Sequence, residues 1–426
     1  MPILQRPRVA ALIAVLVAMT AFSLFFRNAV GTLAPVLRTD IGLDARMLGL
    51  ANGGFFTAFL VMQLPLGVLF DRYGVRRCVA WLTFVAALGS LTGALCTEPW
   101  SFVGSRVLLG MGSAGYFMGT LVIAGNWFRD RQFVGTVSLI YALSVIGTLA
   151  ATAPLSFAAE MFGWRRVFVA IALATAGLGL ALHVFVSDFP SEAPRRPAKA
   201  QSMTDLLGGW REVWRTPGLT PIVAMAAIAY PSGSTVLGTW AAPYLADVHR
   251  IGPDARGELL LLFAATQALA TLMWGQLAAR GAGTTRVITA CGFAATATLG
   301  AFALWSDPPI WLAAAFFAAV CLFASFGSLV LMEARQLFPE HIAGRGITMV
   351  NLAQVGGSAV LPIVTGVIIG WSPAADGSAP AAAYRLAFGI IALLVLVGLA
   401  TYRLLARPEA ASGQGDLVVD ASKVSE

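Results

Sequence analysis

The chain has 426 residues, of which 58% are apolar and 12% charged, and a mean hydropathy of +0.79, against roughly 45–50% apolar and 25% charged usage in soluble domains. That balance excludes a water-soluble fold. The formal charge of +7 comes almost wholly from scattered arginines, since only Lys199 and Lys423 are lysines, and without a long basic run nucleic acid is not an expected partner.

Windows of about 19 residues give apolar segments over 9–36, 47–70, 78–97, 100–126, 133–157 and 164–187, then 219–245, 257–279, 286–305, 309–332, 346–371 and 385–405. Each is long enough for a crossing, which takes about 20 residues, so an all-α polytopic membrane protein with twelve transmembrane helices is predicted. The first segment follows Arg6 and Arg8 like a signal peptide. It lacks a small-residue cleavage site and continues through Arg27 toward Pro35, so it reads as a retained helix.

The polar stretch SDFPSEAPRRPAKAQS after the sixth segment reads as a linker. It divides the chain into a first six-helix bundle (1–187), a linker (188–218), a second six-helix bundle (219–407) and a tail (408–426). With the N terminus inside, most arginines and both lysines fall on the linker side. The opposite side keeps Arg38, Arg46, Arg165, Arg166, Arg250, Arg256 and Arg385. The positive-inside rule then puts both termini and the linker in the cytoplasm, as for a bacterial-type inner membrane protein.

Cys78, Cys96, Cys291 and Cys321 are widely spaced in or beside apolar segments, and no His cluster accompanies them. They read as packing residues, with no metal site and no cofactor. Residues 110–115, GMGSAG, formally match a dinucleotide fingerprint. That motif needs a strand–helix unit in water, whereas here it lies in an apolar helix and serves close helix packing. No phosphate loop, no HExxH and no catalytic cluster is visible, so neither an ATP-driven pump nor an enzyme is expected.

The second segment ends in GVLFDRYGVRR (67–77), and the eighth ends in GQLAARGAGTTR (275–286), a weak internal echo. Gly67, Asp71, Arg72, Gly74, Arg76 and Arg77, together with SRVLLGMG around Arg106, GWRRVF (163–168) and FPEHIAGRG (338–346), resemble motifs of the major facilitator superfamily in the right order. The resemblance spans nearly the whole chain. It implies two pseudo-symmetric six-helix bundles that work by alternating access, and a loop motif that latches the halves when the protein faces outward. Ala279 replaces the acid in the second copy, so the latch should be one-sided.

A charge at mid-bilayer costs about 2.5–3.5 kcal/mol on insertion scales, which singles out Arg27 and Arg106. SLFFRNAVGTLAPVL around Arg27 resembles the first helix of organic-anion and sugar-phosphate members, where the arginine holds the anionic group; the guanidinium fork suits a carboxylate or phosphate. Snorkelling to an interface is its structural alternative, and Arg106 is either structural or part of a proton path. No carboxylate falls at mid-membrane, so coupling would use Glu258, Glu333 or the substrate's own proton, or be absent.

Candidate substrate contacts are Arg27, Asn28, Asn52, Tyr116, Tyr230, Trp240, Gln267 and Asn351; Gln63, Tyr141, Tyr244, Trp274 and Gln354 are further polar or aromatic candidates. Tyr230 stands out because AYPSGSTVLG should interrupt the seventh helix at Pro231 and Gly233. The function expected is secondary transport of a small organic anion by a monomer, driven by a proton or solute gradient. Efflux of hydrophobic compounds and a non-transporting sensor or scaffold are the rival readings.

Overall fold

A computed structural model describes residues 7–190, 212–371 and 377–405; most of the linker and the tail from residue 406 lie outside the described residues, as do the side chains of Glu340 and His341 in the FPEHIAGRG motif. Among the described residues, twelve helices are long and apolar enough to cross a bilayer: α1 Arg8–Ile41, α2 Ala45–Tyr73, α3 Val75–Leu95, α4 Pro99–Trp127, α5 Asp130–Ala150, α6 Trp164–Phe185, α7 Leu219–Asp247, α8 Pro253–Ala282, α9 Thr284–Leu304, α10 Ile310–Leu337, α11 Ile342–Ile369 and α12 Ala381–Leu405. The chain is a multi-pass, all-helical membrane protein. The predicted segments correspond one to one, with ends displaced by a few residues because caps rather than hydropathy end a helix. The fifth crossing is interrupted: after α5 the chain breaks at Ala151 and Thr152 and resumes as Ala153–Phe162.

The seventh helix departs from expectation. The α-helix runs through Pro231 to Thr235, and the irregularity follows as a π-turn over Val236–Trp240. An inserted residue widens a helix without breaking it, so α7 stays continuous while its ladder shifts register just beyond Tyr230.

The internal echo has a backbone counterpart. Gly74 (φ 83, ψ 148) starts α3 and Gly283 (φ 80, ψ 131) starts α9. Counting from Gly67 to Gly74 and from Gly275 to Gly283, the second copy has one residue more. A π-turn at Ala278–Ala282 absorbs it. Such positive φ values suit glycine. At Gly74 a Cβ would also lie 2.6 Å from Asp188 Oδ2.

The halves meet on the membrane face opposite the linker, here called the far face. Bare backbones make this possible: a Cβ on Gly31 of α1 would fall 2.3 Å from the Gly238 carbonyl oxygen of α7, and one on Gly49 of α2 would fall 2.4 Å from the Pro362 carbonyl oxygen of α11. Small residues let membrane helices approach closely enough for dispersion to hold them, where no hydrophobic driving force exists between apolar helices. The GMGSAG glycines act in the same way within the first half. A Cβ on Gly110 would meet the Phe55 carbonyl oxygen at 2.1 Å, and one on Gly112 the Ala86 nitrogen at 2.2 Å.

Candidate functional site

A cavity of about 210 Å³ lies between the bundles at mid-membrane; its wall is largely apolar, with Leu24, Val145, Ala264 and Ala268, and polar groups enter it from Asn28 of α1, Thr148 of α5, Tyr230 and Ser234 of α7, Gln267 of α8, and Ser325 and Ser328 of α10. Arg27 stands beside it, half-buried. Its guanidinium lies 4.8 Å from the Phe59 ring centroid and 5.9 Å from that of Phe56, a cation–π arrangement that holds a charge in an apolar setting. Arg27 Nη1 donates to the Tyr230 hydroxyl across the seam at 3.5 Å, a long contact. Its Nε is buried without a partner.

Tyr141, one turn before the cavity-lining Val145 on the same face of α5, has a buried hydroxyl without a partner. A buried donor without an acceptor costs about 1–3 kcal/mol. An anion reaching Arg27 Nε and the Tyr141 hydroxyl would relieve both.

Several expected contacts prove to be elsewhere. Asn28, Tyr230 and Gln267 reach the cavity. Asn52 is 1% exposed and bridges the halves: it donates to Thr239 Oγ1 at 2.6 Å and accepts from Arg106 Nη2 at 3.3 Å. Trp240 is fully buried and donates to Thr365 Oγ1 at 2.8 Å. Tyr116 is buried in the first bundle's core. Asn351 is half-buried on α11, one turn before Gln354, whose amide donates to the Gly327 carbonyl at 3.0 Å. Tyr244 sits in an aromatic cluster with Phe302, Phe317 and Tyr384, and Trp274 donates to the Leu322 carbonyl.

Arg106 is 2% exposed, stands over the Phe55 ring at 4.5 Å and donates to Asn52, and it is not among the residues lining the cavity. Glu258 is exposed at the far end of α8. Glu333 accepts from Thr285 of α9 at 3.1 Å and from the Tyr402 hydroxyl of α12, fastening the outside of the second bundle. Neither acid is among the residues lining the cavity.

In the loop motif, Asp188, which follows α6, accepts from the Arg76 backbone N–H at 2.7 Å and so caps the start of α3. Asn126 and Trp127 donate to the carbonyls of Asp188 and Ser187. Asp71 and Arg72 are exposed, and Asp71 has no hydrogen-bond or ion-pair partner among the described residues.

The far face carries contacts that hydropathy alone does not reveal. Arg38 of α1 pairs with Asp247 of α7 at 2.5 Å. Asp247 also accepts from the Tyr384 hydroxyl at 2.8 Å and from the Ala379 N–H at 3.0 Å. Ser156 donates to the Pro253 carbonyl at 3.1 Å. The available signal was positional: a base lies in the last turn of α1 and an acid ends α7, the first helices of the two halves.

Twelve crossings in two sets of six, closing on a cavity with a few polar groups in its wall and one mid-membrane cation beside it, define a two-bundle membrane protein built around a central site. Residues 16–252 and 222–420 match the family model described as Major Facilitator Superfamily, and the chain belongs to that family. It is 29% identical over 183 residues to a quinolone resistance transporter of Acinetobacter baumannii, covering 42% of each chain. It is 23% identical over 237 residues to a putative tartrate transporter of Agrobacterium vitis, covering 50% of this chain and 53% of that one. The matches thus span about half the length of these curated relatives. The fold is shared with a crystal structure of a bacterial homologue of the human lysosomal transporter Spinster, inward-facing and unoccupied, at TM-score 0.74 and 16% identity, covering 94% of this chain and 98% of that one.

Proposed function

We propose that this protein is a secondary carrier for a small organic anion, a carboxylate or phosphate ester, that works by alternating access between its two bundles. The observation that carries the reading is Arg27, a mid-membrane cation beside the cavity whose Nε is left without a partner. The relative named as a putative tartrate transporter agrees with it. The seam is held on the far face, and Asp71 is unlatched, so the site communicates with the linker side in this state. With the arginine bias of the loops, the linker side is the cytoplasm and both termini lie there, in a bacterial-type inner membrane. The carrier acts as a monomer, binds no nucleic acid and performs no covalent chemistry.

The quinolone-resistance relative favours a second reading, drug export. Quinolones themselves carry a carboxylate, so Arg27 would serve there too. One experiment separates them: thermal stabilisation of purified wild type and Arg27→Ala by tartrate, a hexuronate, a sugar phosphate, a quinolone and a cationic dye, since a ligand that binds only the native state raises its stability by mass action. Stabilisation by a hydroxy acid that is lost in the variant supports uptake-type anion recognition. A response to the quinolone alone supports export, and a response to the dye that Arg27→Ala leaves unchanged overturns the anion reading.

A further inference from the structure

On the membrane side of the first bundle, α1, α5 and α6 enclose a second cavity, an apolar cleft of about 680 Å³, within the about 300–1,000 Å³ typical of ligand sites. Its walls are mostly short or flat side chains, including Ala21, Phe25, Gly147, Ala158 and Ala170, and its single charged residue is Arg166. The cleft exists because the fifth crossing breaks at Ala151 and Thr152. Phe162 and Ile146 at its edge are 56% and 64% exposed, which in a bilayer means exposed to lipid.

The two arginines of GWRRVF divide their roles. Arg165 is occupied: it pairs with Asp40, donates to the Cys96 carbonyl at 3.2 Å and stacks on Trp164. Arg166 is exposed and has no hydrogen-bond or ion-pair partner among the described residues. It stands near the far-face start of α6, where a lipid phosphate would lie.

We propose that this cleft is a phospholipid site: a glycerophospholipid of the far leaflet lays one acyl chain between α1, α5 and α6 and sets its phosphate on Arg166. The complementarity is of both kinds, an apolar trough for a chain and a free guanidinium for a phosphate. The site backs the seam. The segment Ala153–Phe162 forms one wall of the cleft through Ala158, while Ala153 and Ser156 on the same segment meet Gly257 of α8. A chain in the cleft therefore presses that segment toward the second bundle and favours the far-closed arrangement. The proposal requires only that the chain spans a bilayer and is independent of what the central cavity binds.

The test uses purified full-length protein in detergent, with dioctanoyl phosphatidylglycerol, glycerol 3-phosphate and dioctanoylglycerol as separate probes of whole lipid, head group and chains. Wild type should be thermally stabilised by the lipid far more than by either fragment. In Arg166→Gln the half-saturating concentration should rise about tenfold, the scale of a lost charge-assisted contact, and Ala170→Trp should abolish the response. In a background without the four native free cysteines, an Ala158→Cys variant should react with a permeant maleimide more slowly when lipid is present, which reads the site even if the tryptophan variant does not fold. Equal stabilisation by glycerol 3-phosphate would make this a free phosphate site. Equal half-saturation of Arg166→Gln and wild type by dioctanoyl phosphatidylglycerol, stabilisation by dioctanoylglycerol as strong as by the whole lipid, or unchanged labelling at position 158, would overturn the proposal.

Discussion

Arg38 and Asp247 join the two bundles by a 2.5 Å ion pair whose carboxylate side chain is 2% exposed and whose guanidinium side chain is 21% exposed. The acid remains anchored within its own half by Tyr384 and Ala379, so separating the bundles strips away only the arginine. Arg38→Ala should therefore destabilise this state by somewhat less than the about 3–5 kcal/mol of a fully buried pair. Adding Asp247→Asn should recover part of the loss, because no unpaired charge then remains. The readout is maleimide labelling of Asn28→Cys from the far side, in a background without the four native free cysteines. Labelling of Arg38→Ala faster than the parent is expected; equal rates would mean that the pair does not hold the seam.

Asn52 should matter through Arg106 rather than through a ligand. Thr239→Val removes one neutral hydrogen bond, worth about 1 kcal/mol. Asn52→Leu also leaves the Arg106 guanidinium without its side-chain acceptor in a site that is 2% exposed, and should cost about 1.5–3 kcal/mol more. Thermal unfolding of the two variants and their double mutant measures this, and the costs should be far from additive because both changes break the same bridge. Equal losses in the two single variants would show that Arg106 does not depend on Asn52.

The two acids kept as coupling candidates should fail in that role. Glu258→Gln lies on an exposed surface and should change stability by no more than about 0.5 kcal/mol. Glu333→Gln weakens the tie between α9, α10 and α12 and should cost about 1 kcal/mol. Anion uptake into proteoliposomes with and without an imposed proton gradient is the check. Both variants should show the gradient dependence of the wild type, and its loss in either would restore that acid as the coupling group.

Hydropathy was sufficient to place the twelve crossings because water is absent from the bilayer core and every backbone group must be satisfied within a helix. The sidedness of the arginines and the glycine-rich loops were visible for equally local reasons. What sequence could not supply was the direction in which a polar side chain points. Asn28 and Asn52 look alike in apolar helices, yet the first lines the cavity and the second bridges α4 and α7. Arg38 and Asp247 look like ordinary helix-end charges until α1 and α7 are brought together. Pro231 invited a break because a missing N–H is easy to see, whereas the π-turn that follows it depends on how α7 fits against α1.

His249 gives the far-face connection between α7 and α8 a defined pH response. Its ring packs on Tyr244 at 5.5 Å and its Nε2 is buried without a partner. Burial pushes its pKa below the ordinary 6.5, while Asp307 opposes that shift. The folded protein therefore binds this proton less readily than the unfolded chain. The linkage slope is then positive: stability is complete above pH 6.5 and declines as the pH falls through that value, because the unfolded state gains the proton first. His249→Phe keeps a ring against Tyr244 and removes the titration. Its thermal midpoint should fall less than that of the wild type between pH 7.5 and 5.5, with the two proteins differing least in pH dependence above pH 7. Parallel decline of both over the acid range would assign the loss to other groups.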